Sequence, residues 1–472
     1  MGFTAQTFLF IFLPLSIVAY LLCTRLHRPL LNNILLALMS LAFYVFCGLH
    51  ALVVFLGLIV FVYLMGVLIG YARQAAGEKA SRRWMALGAA ALVALLFLCK
   101  YLTFLLDTLS ALLPLELSFD GLIVPAGLSF IVFESISYLV DISRGLATPG
   151  SPLDAFVFLS LFPKVISGPI VLWRDFQPQL AQHPEPGADD AAEGLRRIII
   201  GYSKKAILAD TFGAQIARID GVLLAGGADT PTMWLRALLY FFQLYYDFSG
   251  YSDIAIGLCR VFGFSIKENF NFPYISTSIT EFWRRWHISL GSWFREYVYF
   301  PLGGNRRGNV YLNLFVVFLL TGIWHGANWT FLLWGVINGV FVVAERYVRN
   351  KKWYQRIPSV VKWAFTMVVV YFVWIMFMAS DVSDAFSTYA ALFAASPAVN
   401  FTWRYFLTRK LAVLLVIAAL GSVAGALPMS EERRKRLLAP APWKLAVYLV
   451  LFAVSVLFVV NSSYSPFLYF QF

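Results

Sequence analysis

Apolar residues in this chain come in long runs rather than in the narrow stripes of a soluble amphipathic helix. Runs of membrane-spanning length lie near residues 4–23, 30–48, 50–70, 84–106 and 121–140, and again at 363–380, 411–427 and 444–461. The polar gaps between them carry charge on alternate sides. Arg73, Lys79, Arg82 and Arg83 follow the third run, whereas Asp107–Asp120, after the fourth, has no Lys or Arg. Arg346, Arg349, Lys351, Lys352, Arg356 and Lys362 precede the run at 363–380, and Glu431–Arg436 (EERRKR) separates the last two. Basic loops are retained on the cytoplasmic side. The expected topology therefore puts these loops inside and both termini outside. Phe8–Leu22 has no basic residue before it, and Arg25 and Arg28 come after it, so it is expected to be an uncleaved first span rather than a secretory signal.

The middle of the chain breaks the rhythm. Segment 153–172 (LDAFVFLSLFPKVISGPIVL) contains Pro163, Lys164, Gly168 and Pro169, which suits a re-entrant or broken helix buried in protein. Segment 194–220 is basic and amphipathic, the pattern of a helix at the membrane surface. Segment 232–264 is too long for one untilted span and carries Asp247, Ser249, Ser252 and Asp253. Segment 274–300 mixes Trp and Phe with Arg and Glu, as an interfacial helix does. Segment 312–343 would reach roughly 48 Å as one helix at ~1.5 Å per residue, beyond the ~30 Å hydrocarbon core. It must tilt strongly or break near Gly322–Gly326. No inverted internal repeat stands out, which argues against a secondary transporter.

Composition agrees with the pattern. Hydrophobic residues make up 60% of the chain and charged ones only 13%, with a mean hydropathy of +0.74. The fold class is an all-α polytopic membrane protein. The net charge of +12 is carried between the apolar runs, so it reflects retention of cytoplasmic loops rather than nucleic-acid binding. Cys23, Cys47, Cys99 and Cys259 sit in or beside apolar runs without metal or disulfide spacing, and read as small core residues.

Polar residues inside the apolar middle are the candidates for chemistry. Of five histidines, His27, His50 and His183 fall in loops or at span ends. His325 lies within TGIWHGANWTFLLWG, and an ionisable group at membrane depth carries function by default. If 321–335 is one helix, Thr321, His325 and Asn328 share a face, placing a hydroxyl and an amide beside a proton-handling imidazole. His287, in EFWRRWHISL, fits two readings: a histidine within an aromatic–basic interfacial belt, or a second polar group at the cytoplasmic mouth of a reaction chamber. Two histidines 38 positions apart, without HExxH or a cysteine cluster, make a weak metal site. There is no GxSxG elbow and no P-loop. Asp247 and Asp253 fit either cation or proton binding or structural hydrogen bonding.

Five stretches taken together carry a resemblance: FESISYLVDISRG (Phe133–Gly145), YDFSGYSDIAIGL (Tyr246–Leu258), ENFNFPYISTSITEFWRRWHISL (Glu268–Leu290), LGGNRRG (Leu302–Gly308) and GIWHGANWTFLLWG (Gly322–Gly335). In this order they resemble the membrane-bound O-acyltransferases (MBOAT), in the bacterial branch typified by the alginate O-acetyltransferase AlgI. The resemblance implies a ring of tilted helices around a through-going tunnel, with re-entrant and interfacial helices. It implies one integral-membrane acyltransferase domain over 1–472. Within it come N-terminal spans at 1–145, a catalytic middle at 146–345, C-terminal spans at 346–462 and an extracytoplasmic aromatic tail at 463–472. The family's invariant histidine maps onto His325 and its second active-site histidine onto His287. Thr321, Asn328 and Asp247 would support them.

The implied reaction is acyl transfer from a cytoplasmic thioester, acetyl-CoA being the expected co-substrate, with no bound cofactor and no metal. The acceptor lies across the bacterial inner membrane, where an exopolysaccharide such as alginate or cellulose is O-acetylated with a periplasmic partner. That partner would be an SGNH-type acetyltransferase of the AlgJ or AlgX kind within a polysaccharide synthesis complex, with membrane lipid around the chain and no nucleic acid. Lys267, Arg284, Arg285 and Arg295 are candidates to hold CoA phosphates, and equally fit a solvated basic rim. The terminal FLYFQF (Phe467–Phe472) is similar to an aromatic C-terminal motif in teichoic-acid D-alanylation systems, which would make Tyr469 a transient acyl carrier. An interfacial aromatic anchor accounts for it equally. Two functional alternatives remain: a transporter or flippase of an acyl donor without chemistry, and acylation of peptidoglycan.

Overall fold

A computed structural model describes residues 2–113, 122, 124–182, 186–224, 227–394, 401–426, 430, 441–461 and 467–468. The EERRKR segment, His183 and Tyr469 lie outside the described residues. The described chain is helical, with no strand among those residues. Among the described residues, five helical stretches are long and apolar enough to cross a membrane: Leu49–Lys100, Trp329–Val348, Ser359–Met378, Arg409–Ala426 and Pro442–Asn461. Phe8–Thr24, Pro29–Val45, Leu102–Leu112 and Val310–His325 are shorter apolar helices.

The chain forms two compact units, one from Met1–Ile198 and Ser252–Lys267, the other from Ile199–Tyr251 and Glu268–Leu468. In the first, the runs at 50–70 and 84–106 are joined as expected by a reversal of the chain, but through a tight turn at Gly77 rather than an extended loop. Leu49–Lys100 is two helical arms that meet where Gly77 takes φ +80 and fold back on each other, so that a Cβ on Gly88 would stand 3.8 Å from the Met65 Cβ. The charged stretch around Gly77 is rich in helix formers, with Glu78 bonded to Arg82 one turn on (2.7 Å), so both helical arms run up to the turn. Only glycine adopts the left-handed value at the break without steric cost.

The Leu128–Arg144 helix is buried on nearly every side, and its polar residues are matched to partners. Glu134 accepts from Lys164 and from the Val171 amide (3.1 Å). Lys164 sits in the irregular stretch after Pro152–Ser160. This is the broken helix expected from Pro163, Gly168 and Pro169, and a buried carboxylate compensates its buried cation.

In the second unit, the segment read as a basic surface helix is a nearly continuous helical run through Ala188–Tyr202, Ser203–Ala209 and Asp210–Leu224, which begins in the first unit. Lys205 is buried in it, paired with Asp210 and Asp247 at 2.6 Å each. The 312–343 segment resolves as a hairpin of two helices, Val310–His325 and Trp329–Val348. They cross where Gly322 meets Gly335. A Cβ on Gly322 would stand 2.5 Å from the Phe331 carbonyl oxygen and 2.9 Å from the Gly335 Cα. Small residues permit such backbone-to-backbone packing between membrane helices, and the contact holds the hairpin at the point where it turns.

Candidate active site

His325 is the last residue of the Val310–His325 helix. Gly326 leaves helical geometry, and Asn328 caps the next helix by accepting from the Thr330 amide (3.0 Å). The shared face of Thr321, His325 and Asn328 is therefore only partly realised. Thr321 stays one turn below His325, with its hydroxyl bonded to the Val317 carbonyl (2.7 Å). The chain break turns Asn328 away, so that its amide donates to the Ser380 carbonyl (2.7 Å).

The imidazole of His325 is buried within an aromatic cage. The Trp334 and Phe377 rings stand edge-on at 4.9 Å and 5.0 Å, and the Trp324 ring lies at 5.1 Å. Phe377 comes from the Ser359–Met378 helix, which reads in the sequence as a plain span.

The 274–300 segment is also broken. Ile279–Arg285 ends before Trp286, and His287 takes φ +46 as the residue before the Ile288–Phe294 helix. Outside glycine and asparagine this left-handed conformation is uncommon, and strained backbone collects at functional sites. The Trp283 and Arg284 neighbours that a continuous helix would give His287 are lost at this break.

Local hydrogen bonds hold the turn. The Ile288 amide donates to the Asn269 carbonyl (2.9 Å). The Ser289 amide (3.2 Å) and hydroxyl (2.9 Å) both donate to the Asn269 side-chain oxygen, and His287 Nδ1 lies 3.1 Å from the same oxygen. Phe248 packs edge-on against the imidazole at 4.7 Å, and the Trp324 ring lies at 6.1 Å. Trp324 is thus within ring-contact range of both histidines. His287 is outside the helices apolar enough to cross a membrane, and burial pushes its pKa down to about 3. It is a neutral base at working pH.

Both histidines line one cavity of about 690 Å³ in the second unit. Thr321, Trp283 and Trp286 line it as well. Its polar wall is strongly one-signed: Arg284, Arg295, Arg346 and Arg349 line it, and among the described residues no Asp or Glu does. Arg284 and Arg295, two of the basic candidates, are thus among its lining residues. Arg346 and Arg349 read in the sequence only as part of a cytoplasmic basic loop. The helix that carries Arg346 and is followed by Arg349 as its C-cap is the one that starts beside His325, and folding the hairpin brings its far end to the cavity.

The other two basic candidates are engaged elsewhere. Arg285 bonds to Glu281 (2.9 Å), and Lys267 belongs to the first unit, paired there with Asp175 (2.6 Å). Asp247 does not line the cavity either. It pairs with Lys205 and accepts the Leu468 amide (2.9 Å), so it ties down the C-terminal segment. Asp253 pairs with Arg197 (2.9 Å). No cluster of His, Cys, Asp or Glu suited to a metal ion occurs among the described residues.

The fold and the site thus combine a buried pair of histidines, a cationic cavity and a scaffold of apolar helices. The chain matches the MBOAT, membrane-bound O-acyltransferase family, over residues 143–388, and it belongs to that family; it is an acyltransferase of the membrane. Over the full length of both chains it is 38% identical to a Pseudomonas putida protein named "probable alginate O-acetylase AlgI". It is 34% identical to the peptidoglycan O-acetyltransferase of Helicobacter pylori, over 81% of this chain and 78% of that one. It is 30% identical to the teichoic acid D-alanyltransferase of Bacillus subtilis, over 52% of this chain and 64% of the other.

Proposed function

We propose that this protein takes an acetyl group from cytoplasmic acetyl-CoA and passes it across the bacterial inner membrane for O-acetylation of an exopolysaccharide, with alginate the favoured polymer. The observation that carries the reading is the single cavity lined by His287, His325 and four arginines, with no carboxylate lining it among the described residues. An acetyl thioester of CoA is small and apolar at its reacting end and polyanionic at the other. A cavity with histidines in an aromatic cage and arginines on its wall complements both ends. The name of the Pseudomonas putida relative, matched along its whole length, supports the polymer.

In this reading the acceptor hydroxyl attacks the thioester carbonyl while a histidine removes its proton. The other histidine hydrogen-bonds the oxygen on which negative charge develops. The C–S bond then breaks, and the CoA thiolate leaves with the proton as the free thiol. Aromatic walls keep water from the thioester. Arg284, Arg295, Arg346 and Arg349 bind the CoA phosphates. The tail motif fits the scheme. Leu468 is anchored on Asp247, and Phe467 packs on Phe248, which packs on His287. Tyr469 follows directly and is proposed as the first acetyl acceptor, handing the group to a periplasmic SGNH-type partner. N- and C-termini on the periplasmic side complete the topology.

Purified protein incubated with acetyl-labelled acetyl-CoA tests this. Release of CoA with label on the wild-type chain, and CoA release without label for Tyr469→Phe, supports the full relay. Label retained by Tyr469→Phe removes the carrier, and failure to consume acetyl-CoA contradicts the donor assignment.

A further inference from the structure

His287 can act as a proton acceptor only if the right nitrogen carries its lone pair, and the surrounding hydrogen bonds decide which. Asn269 presents one side-chain atom to three groups. The Ser289 backbone amide lies 3.2 Å from it. An amide N–H can only donate, so the atom facing it is the carboxamide oxygen and not the NH2. The Ser289 hydroxyl, 2.9 Å away, donates to the same oxygen. His287 Nδ1 is the third group, at 3.1 Å. A lone pair on Nδ1 would face the lone pairs of that oxygen, so Nδ1 carries the proton. The Ser289 Oγ stands 3.5 Å from Nδ1; with its own proton committed to Asn269, it too offers only lone pairs there. Nε2 is then the basic nitrogen of the neutral ring.

We propose that Asn269 is a positioning residue for acyl transfer: its side-chain oxygen locks His287 in the Nδ1–H tautomer and so offers Nε2 to the acceptor hydroxyl. This rests on the acetyl-transfer reading above and divides its labour. His287 takes the hydroxyl proton, and His325 hydrogen-bonds the thioester carbonyl. His287 lines the cavity and Asn269 does not, so the imidazole edge opposite the amide is the one that meets substrate. The left-handed turn at His287 belongs to the same device. It swings the ring back toward Asn269, which lies 18 positions earlier, and the Ile288 amide bond to the Asn269 carbonyl pins the two backbones together. Neighbouring groups that orient a catalytic or metal-bound histidine in this way are worth roughly 10–100-fold in activity.

Four proteins decide it: wild type, His287→Asn, Asn269→Leu and Asn269→Asp, each confirmed monodisperse in detergent. They are assayed for acetyl-CoA turnover as kcat and KM across pH, and for thermal unfolding across pH 5–8. Asn269→Leu has the size but no acceptor, and is expected to lose about 10–100-fold in kcat with KM little changed. Asn269→Asp still accepts from Nδ1–H, so it keeps most of the activity, and its acid limb moves to higher pH because a carboxylate favours the imidazolium. Its unfolding temperature also falls less on acidification than that of the wild type.

Full kcat in Asn269→Leu, or equal losses in the Leu and Asp variants, overturns the positioning role while a dead His287→Asn leaves the acetyl-transfer reading in place. An active His287→Asn removes the reading and the inference together. If the wild type consumes no acetyl-CoA, the donor assignment fails. The unfolding series then decides Asn269 alone: an acid sensitivity unchanged in Asn269→Asp counts against it.

Discussion

At the scale of single residues, the site depends on two histidines held in opposite ways. His325 ends a helix and is gripped by rings; His287 sits in a left-handed turn and is gripped by hydrogen bonds. Replacing His325 with alanine is expected to lower acetyl transfer by about 10²–10³-fold, as loss of one hydrogen bond to a developing oxyanion does, with unchanged elution in detergent. His287→Asn suits the turn, since asparagine tolerates positive φ, so a fall in kcat without loss of folded protein is expected.

Because burial keeps His287 neutral down to about pH 3, the unfolded chain takes up a proton below about pH 6.5 that the folded chain refuses. Stability therefore falls as pH drops through that window. A thermal unfolding series from pH 8 to pH 4 should show the loss, and His287→Asn should remove part of it.

The sequence was informative here in proportion to chemical rarity. An imidazole inside an apolar run is conspicuous, so His325 could be picked out, and the arginines flanking His287 drew attention to it. Asn269 carried no such mark. It is one of two asparagines in the aromatic stretch ENFNFPY, and its proposed role comes from a turn that joins it to a residue 18 positions away. Asn328 was misjudged for the same reason. Helical spacing put it beside His325, but its preference for capping the next helix turns the chain first.

At the scale of elements, apolar runs were legible and their junctions were not. The spans at 30–48, 363–380 and 444–461 correspond to Pro29–Val45, Ser359–Met378 and Pro442–Asn461, because hydrophobic length alone fixes them. The basic gap at 73–83 read as a loop and does reverse the chain, but in a tight turn at Gly77, since charged residues with good helix propensity carry the helical arms up to it. The excessive length of 312–343 was a valid warning. It is a hairpin, and the reason is the Gly322–Gly335 contact, which no periodicity reveals. Gly335→Leu tests that account, because a Cβ there would stand 2.7 Å from the Phe318 carbonyl oxygen. Overpacking of this kind costs about 1–3 kcal/mol or more. The expected outcome is a lower unfolding temperature and lost activity, whereas Gly221→Ala, at a position with open space around it, leaves both unchanged.

At the scale of the whole molecule, charge is sorted by use. Acidic residues pair with cations elsewhere, as Asp247 does with Lys205 and Asp253 with Arg197, while among the described residues the cavity is lined by arginines and by no carboxylate. Positive-inside bias hid that distinction in the sequence, since Arg346 and Arg349 read there only as part of a basic loop and yet line the cavity. Charge reversal of both to glutamate is expected to raise the KM for acetyl-CoA at least tenfold and to weaken its dependence on salt, with a smaller effect on kcat, as loss of binding shared by ground and transition states predicts.

The central claim is that one cavity carries out acetyl transfer with both histidines. The most direct measurement is single-turnover transfer from acetyl-labelled acetyl-CoA by wild type, His325→Ala and His287→Asn, each shown to be folded. Rapid loss of label from CoA in the wild type, slowed at least a hundredfold in both variants, is the predicted result. Wild-type rates in either folded variant would contradict it.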